Sequence, residues 1–558
     1  MSPSSEGYAG IAAPHPPARW RDLWTMLLID DARPAPLVAI AGAVLAACAW
    51  LLASPDRMVS RLMTWDLLFN LEGAWRIRAG QVPHVDFHDP LGSLSFWPTV
   101  AGFWLVGTSV FAFIVGQLLV AGVMFAAAVT TSVRRLPLAP AILFVLFACL
   151  EVLVPTNTGG LFDHFTFAMS YNAYGWAALC VLSLILFLPP RRGSAPAWPD
   201  VVVGGVLIAA LFYLKITYFL VALGLLAAAF LVCRHIRAQP IAWGMVGAAA
   251  LANVAAPFNW HYLGDIAATI QAGAVRSGWD TAIVLVTANA TELSLAAGVL
   301  LVAVALWRAG QAPLRLPAAA AVLIGAALAV LSQNAQLRGL PLCGVALFLM
   351  YEQVRRNLAG YAGVAWVLLA ILVVPAANVA TATASMVSYF DTATHSDANF
   401  VVDRTNLRGL AVPLRQDEAV ANDDATYLWV NRIRSVGGNI KLSQYEYVQT
   451  ILEAAAMFHE RQDRPGAVLV LDQVSPLSFV LGRPPARGGT LWMDTAFAWQ
   501  PAEVALAEVA HVLVPKLSTY PGLTEEAVAR YGAYLEAQFP LRSESPGWFL
   551  FSRPAKPP

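Results

Sequence analysis

Apolar runs recur along most of this chain, separated by short polar stretches. Runs at 36–54, 109–132, 138–154, 173–190, 201–214, 216–233, 240–257, 284–306, 316–332, 339–353 and 359–380 are candidate membrane spans. The yardstick is a rise of ~1.5 Å per residue against a hydrocarbon core of ~30 Å. Eleven spans are expected on this reading. A further apolar stretch, 94–107, is too short to cross comfortably and is interrupted by Pro98, so it is expected to be re-entrant or juxtamembrane. From about 391 the pattern changes. Strand-like runs at 467–471, 511–515 and 548–552 alternate with helical ones at 444–460, 502–509 and 525–538, predicting a small α/β domain over 391–558. Residues 1–35, rich in Pro, Ala and Ser with both charge signs, read as a disordered tail ahead of the membrane module at 36–390.

The polar residues gather most densely just after the first apolar run, in the loop 55–108, where Trp65 to Pro98 reads WDLLFNLEGAWRIRAGQVPHVDFHDPLGSLSFWP. A helix is predicted over 66–79: at 100° per residue Leu67, Leu68, Leu71, Ala74 and Trp75 share one arc, with Asp66 and Asn70 off it. Glu72 and Arg76 are an i,i+4 pair, and Gly80 and Pro83 supply the stop. This helix is expected to lie on the membrane surface, apolar face down. His84, Asp86, His88 and Asp89 follow within six residues. In an extended segment, alternation would put His84, Asp86 and His88 on one side.

Composition supports the membrane reading. Of 558 residues 58% are hydrophobic and 13% charged, against roughly 25% charged in soluble domains; the mean hydropathy is +0.61. The net charge is zero and the basic residues form no stripe, so a nucleic-acid partner is not expected. All five cysteines fall in apolar runs, which implies no disulfide framework. Leu45-Ala46-Ala47-Cys48 resembles a lipoprotein cleavage box, but the apolar run continues past the cysteine, so an uncleaved signal anchor is expected. With the N-terminus inside, Arg134-Arg135, Arg191-Arg192, Arg234 with Arg237, Arg308 with Arg315, and Arg355-Arg356 all fall on the cytoplasmic side. The acidic loop, the loops 155–172 and 258–280, the turn 333–338 and everything after about 381 then lie outside.

An outward-facing acidic site beside a polytopic bundle suits chemistry on a lipid-anchored substrate. A carboxylate can deprotonate an acceptor hydroxyl while cations hold a phosphate leaving group. Asp66, at the helix start, is the first candidate base, and Asp86 or Asp89 could position the acceptor or bind a divalent cation, Mg or Mn, with His84 or His88. The HxDxHD spacing matches no zinc motif. Lys215 interrupts an otherwise apolar stretch: it either snorkels at a helix hairpin or contacts an anionic lipid phosphate. No glycine-rich loop stands between a strand and a helix at nucleotide-binding spacing.

An aspartate just after the first span, a short helix, and the phrase Gly-Gln-Val-Pro-His-Val-Asp-Phe-His-Asp-Pro-Leu-Gly together resemble the first outer loop of the C-type (GT-C) membrane glycosyltransferases. The likeness is to the bacterial branch related to protein mannosyltransferases and aminoarabinose transferases, and covers roughly 36–350. It implies inverting transfer of a sugar from a polyprenyl-phosphate donor to an envelope glycan, lipid or protein acceptor, in a bacterial cytoplasmic membrane. By that resemblance Asp66 is the base, Asp86 or Asp89 a supporting acid, Asp163 a further acid, and Lys215 and Arg338 phosphate contacts; Glu72, His84 and His88 stand in the same loop. Asp66 is not followed by a second acid, as in branches with a paired acidic motif. Two rivals remain: a polyprenyl-linked glycan transporter, and a non-catalytic scaffold for envelope polysaccharide.

Overall fold

The computed structural model describes residues 27–28, 33–191, 198–273, 279–333, 339–358, 364–414, 443–459, 466–494, 498–516 and 523–554. Most of the tail 1–35 and both Arg192 and Arg338 lie outside the described residues. The chain is chiefly helical: α1 (Pro34–Ala53), α2 (Thr64–Arg78), α3 (Trp97–Val106), α4 (Phe111–Ser132), α5 (Leu138–Leu153), α6 (Ser170–Phe187), α7 (Trp198–Leu214) and α8 (Ile216–Val232) come first. Then follow α9 (Pro240–Ala255), α10 (Trp260–Gln271), α11 (Ala290–Arg308), α12 (Arg315–Ser332), α13 (Pro341–Leu358) and α14 (Val364–His395).

Six of the described helices are long and apolar enough to cross a membrane, or up to seven if α9 and α10, bent by 60° at a proline-containing break, count as one. The expected eleven are not reached by this measure. The apolar runs at 138–154, 201–214 and 216–233 fold as the shorter helices α5, α7 and α8. The run 284–306 breaks at Asn289, and the last apolar helix continues to His395, past the expected end near 380. Pro98 does not interrupt the short apolar stretch. It starts helix α3, where its missing N–H is harmless. The α3–α4 hairpin is tight because Gly102 lies where a Cβ would meet the Ala112 carbonyl oxygen at 1.9 Å.

All five cysteines are buried and unbridged. The arginine-rich helix ends converge at one end of the bundle. Arg135 grips Asp200 with both guanidinium nitrogens (3.0 and 2.9 Å), Arg134 lies 3.4 Å from the same carboxylate, and Glu352 pairs with Arg355, Arg356 and Arg191. His235, between Arg234 and Arg237, meets the Ile185 carbonyl that Arg135 also contacts, and Arg315 shares a cleft with Glu352 and Arg356.

At the other end, short strands stitch the first loop to the last third of the chain. Strand β1 (Met58–Val59), β2 (Phe87–His88), β3 (Asn399–Val401), β4 (Leu410–Pro413), β5 (Ala467–Val470), β6 (Gly489–Thr490), β7 (Val509–Pro515), β8 (Leu541–Glu544) and β9 (Trp548–Ser552) form three sheets. Their orders are β1-β4-β3, β2-β6 and β5-β7-β9-β8, with β1 and β2 each parallel to a partner hundreds of residues away in sequence. Helix α15 (Gln444–His459) and helix α16 (Leu523–Gln538) accompany the largest sheet. Period-2 alternation buries both its faces: Val468, Val470, Leu513 and Leu550 join the main core, while Leu469, Leu471, Val512 and Val514 form a second core with Leu523, Ala527 and Tyr531 of α16. The predicted strands at 467–471, 511–515 and 548–552 appear as β5, β7 and β9; the predicted helix at 502–509 stops at Ala505, and Val509 starts β7.

Helix α2 is not the surface-lying helix the wheel suggested. Every residue except Trp75 and Arg78 is buried, because its polar arc is covered by the C-terminal region and not by water. Glu72 accepts from Phe479 N–H (2.9 Å) and Arg76 Nε (3.0 Å); Arg76 donates on to the Ala486 carbonyl (2.8 Å). Trp75 Nε1 donates to Arg483 O, and Gln444 Oε1 accepts the Thr64 N–H at the helix start.

Candidate functional site

Asp66 sits in the first turn of α2, whose chain enters through Met63 in a left-handed conformation (φ 50°). Its carboxyl is buried and Oδ1 has no hydrogen-bond partner. Burial pushes its pKa from 3.8 to about 7. Trp65 packs edge-on against Tyr447 of α15, with ring centroids 6.0 Å apart. Burial, then the charges of Asp472 and Asp66, push the Tyr447 phenol up, which places both carboxyls near it. Sequence reasoning missed Tyr447 and Asp472: nothing in their local pattern marks them, and Tyr447 comes near Asp66 only because α15 packs on the first loop.

The second centre lies in the turn after α2. His84 has φ 67°, and its N–H bonds Phe87 O, so residues 83–87 form a turn and not the extended segment expected. Alternation therefore fails for Asp86. Its Oδ2 accepts from Val82 N–H (2.8 Å) and Oδ1 faces Arg487 (3.5 Å), while the two histidines converge elsewhere. Both meet Asp265, on α10: His84 Nδ1 lies 2.9 Å from Oδ2 and His88 Nδ1 2.8 Å from Oδ1. Asp89 N–H donates to Asp265 Oδ2 (3.2 Å), and Asp89 Oδ1 accepts from Leu91 N–H (2.7 Å). That leaves His84 Nε2 and Asp89 Oδ2 buried without partners. Burial chiefly, with the neighbouring Asp265 charge, holds the Asp89 pKa well above the ordinary carboxylate value, against the Leu91 hydrogen bond. Asp265 was also missed by sequence reasoning, though a lone acid on a helix within the outer loop 258–280 was the available signal.

The Tyr262 ring of α10 lies against His84 (4.7 Å between centroids), and its hydroxyl accepts from Ile216 N–H (3.1 Å). Lys215 stands next to that contact, at the extended break between α7 and α8, with Nζ 5.3 Å from the centre of the Tyr171 ring. Gly92 lets the site loop close on this hairpin: its N–H bonds Leu214 O (3.1 Å), and a Cβ there would lie 2.1 Å from the Tyr213 carbonyl oxygen. Asp163 meets the first loop through its backbone carbonyl, which accepts from Arg61. Glu72 is bound into the α2 interface described above. As a ligand set, Asp86, His88 and Asp89 are not assembled, since Asp86 turns away; among the described residues no group of three or more His, Cys, Asp or Glu side chains is arranged to hold a metal.

No family model and no curated protein matches the chain. Two solved structures are similar to it in overall trace. Both are of ArnT from Cupriavidus metallidurans, one in the apo state (13% identity, TM-score 0.44) and one bound to undecaprenyl phosphate (13% identity, TM-score 0.46); each likeness covers 93% of this chain and 98% of the other. At that level of likeness neither ligand nor activity passes from one chain to the other.

Proposed function

We propose that this chain is an integral-membrane glycosyltransferase that moves a sugar, with inversion, from a polyprenyl-phosphate donor to a hydroxyl acceptor on the outer side of a bacterial cytoplasmic membrane. The observation that carries the reading is Asp66: a buried carboxyl with an open oxygen and a pKa of about 7, matched to proton transfer near neutral pH. In the transfer step the acceptor oxygen attacks the anomeric carbon as the carbon–phosphate-oxygen bond breaks. The acceptor proton goes to Asp66, and the bonding pair leaves with the polyprenyl phosphate. Lys215, at a break between apolar helices, supplies positive charge for that phosphate, and Asp89 with His84 handles hydroxyls nearby. Asp86 and Asp163 serve as outer-loop positioning groups, His88 supports the site through Asp265, and Glu72 acts through the α2 interface. Arg338, outside the described residues, is a further phosphate contact only by the resemblance of the sequence.

In this reading the N-terminus is cytoplasmic and 391–558 form an outer α/β domain. The gathering of the arginines at one end, and the stitching of the first loop to the last third at the other, support it. The acceptor is an envelope glycan, lipid or protein. The 60° break between α9 and α10 favours a second reading, a polyprenyl-linked glycan transporter. Purified protein in liposomes loaded with radiolabelled polyprenyl-phosphate sugars separates the readings. Label appearing on an acceptor supports transfer; label crossing the bilayer unchanged supports transport; binding alone supports a scaffold.

A further inference from the structure

The Asp265 centre does something the base argument leaves unused. A carboxylate accepts hydrogen bonds, so two imidazole Nδ1 atoms at 2.9 and 2.8 Å from its oxygens must each present N–H to it. In a neutral imidazole the other ring nitrogen is then a bare lone pair. For His84 that atom, Nε2, is buried and unpartnered, and His84 itself is 7% exposed. Asp89 is 2% exposed, sits on the same Asp265 oxygen through its backbone N–H, and leaves Oδ2 equally unpartnered. Leaving two such atoms empty costs on the order of 1–3 kcal/mol each. The site is therefore shaped for a ligand.

The chemistry of the open atoms narrows that ligand. An anion would face two carboxyls and a lone pair, and belongs at Lys215 instead. A metal would need a third side chain, and no such group exists among the described residues. Alcohol hydroxyls fit: one donates to the bare His84 Nε2, and Asp89 Oδ2, on a carboxyl whose pKa burial raises well above the ordinary value, is a partner for a hydroxyl in turn. We propose that His84 and Asp89 form a hydroxyl-recognising subsite for a polyol substrate, with Asp265, carried on α10, as the positioning residue that fixes the His84 tautomer. This rests on the glycosyltransferase reading for the identity of the polyol as the transferred sugar or its acceptor. The dyad itself does not.

The test uses full-length protein in lipid nanodiscs with ¹⁵N-labelled histidine, the His84 signals assigned by their loss in His84→Gln. At pH 7.5 the expected His84 is neutral with the proton on Nδ1. In Asp265→Asn a single amide oxygen is left for two imidazoles, so an amide N–H faces His84 or His88 and that ring's proton moves to Nε2, while Asp265→Glu keeps the wild-type tautomers. A panel of methyl glucosides, galactosides and arabinosides should move the wild-type Nε2 resonance and leave it in place in a variant whose His84 carries its proton on Nε2. In the transfer assay Asp265→Asn should lose about 10- to 100-fold in kcat/KM, partly restored by Asp265→Glu. An imidazolium at pH 7.5, tautomers of His84 and His88 both indifferent to Asp265→Asn, or an Nε2 resonance deaf to every glycoside overturns the subsite. A wild-type protein that passes the resonance tests but transfers no sugar from any donor overturns the glycosyltransferase reading and leaves the subsite standing.

Discussion

At the scale of single residues, the account turns on what burial does to a carboxyl. Asp66 has its pKa raised from 3.8 to about 7 by desolvation, so the folded chain binds that proton more tightly than the unfolded chain. The sign follows: burying Asp66 costs nothing below pH ~4, the cost grows as pH rises, and it levels off above about 7, reaching a few kcal/mol at roughly 1.4 kcal/mol per pKa unit. Asp66→Asn is therefore expected to melt with the wild type near pH 4 and above it at pH 8, read by thermal scans in detergent. A variant that melts below wild type at pH 8 would mean the carboxylate is held by a favourable partner and is not an exposed-to-substrate base. Lys215 is the other residue-scale case. If its ammonium holds the donor phosphate, Lys215→Ala raises the donor KM roughly tenfold or more with the acceptor KM little changed. An unchanged donor KM leaves it as a snorkelling lysine over Tyr171. Both residues were legible in the sequence, because an isolated charge beside an apolar run announces itself. Asp265, Tyr447 and Asp472 were not, since their roles exist only after distant segments meet.

At the scale of elements, helix α2 shows what a wheel can and cannot give. Its limits were readable to within two residues at either end, since the Gly80 and Pro83 stop and the apolar arc are local signals. Its surroundings were not readable. The polar positions that looked water-facing meet protein instead, Glu72 and Arg76 through Phe479 and Ala486 of the last third of the chain and Asn70 through Ser95 and Thr99, and amphipathicity does not distinguish water from a polar protein face. The Glu72–Arg76 pair, 0% and 1% exposed, is therefore an inter-element tie. Glu72→Gln strands a buried guanidinium, and breaking such pairs costs about 3–5 kcal/mol. The expected outcome is a clear loss of melting temperature in a thermal scan, recovered only in part in the double variant Glu72→Leu with Arg76→Met, which leaves Phe479 N–H and the Ala486 carbonyl unpaired. A single variant that melts like wild type would show that the first loop is not held through this pair. Strands β1 and β2 were invisible for a related reason: two-residue strands carry no periodicity.

At the scale of the whole molecule, the hydrophobic pattern located nearly every apolar helix, while helix length made the span count smaller than the run count. Runs such as 138–154, apolar but for Glu151, fold into helices shorter than a bilayer core demands. The topology proposed from the arginine end can be measured: alkaline phosphatase fused after residue 400 is expected to be active, and a cytoplasmic reporter there silent. The reverse pattern would place the acidic site on the cytoplasmic side and remove the outer-leaflet donor. The most direct test of the account compares wild type and Asp66→Asn in reconstituted transfer from a labelled polyprenyl-phosphate sugar across pH 5.5 to 8.5. The account predicts a wild-type rate that climbs through about pH 7 and then levels, and a folded Asp66→Asn protein slower by about 10²- to 10⁴-fold. An Asp66→Asn protein that transfers sugar at the wild-type rate would contradict it.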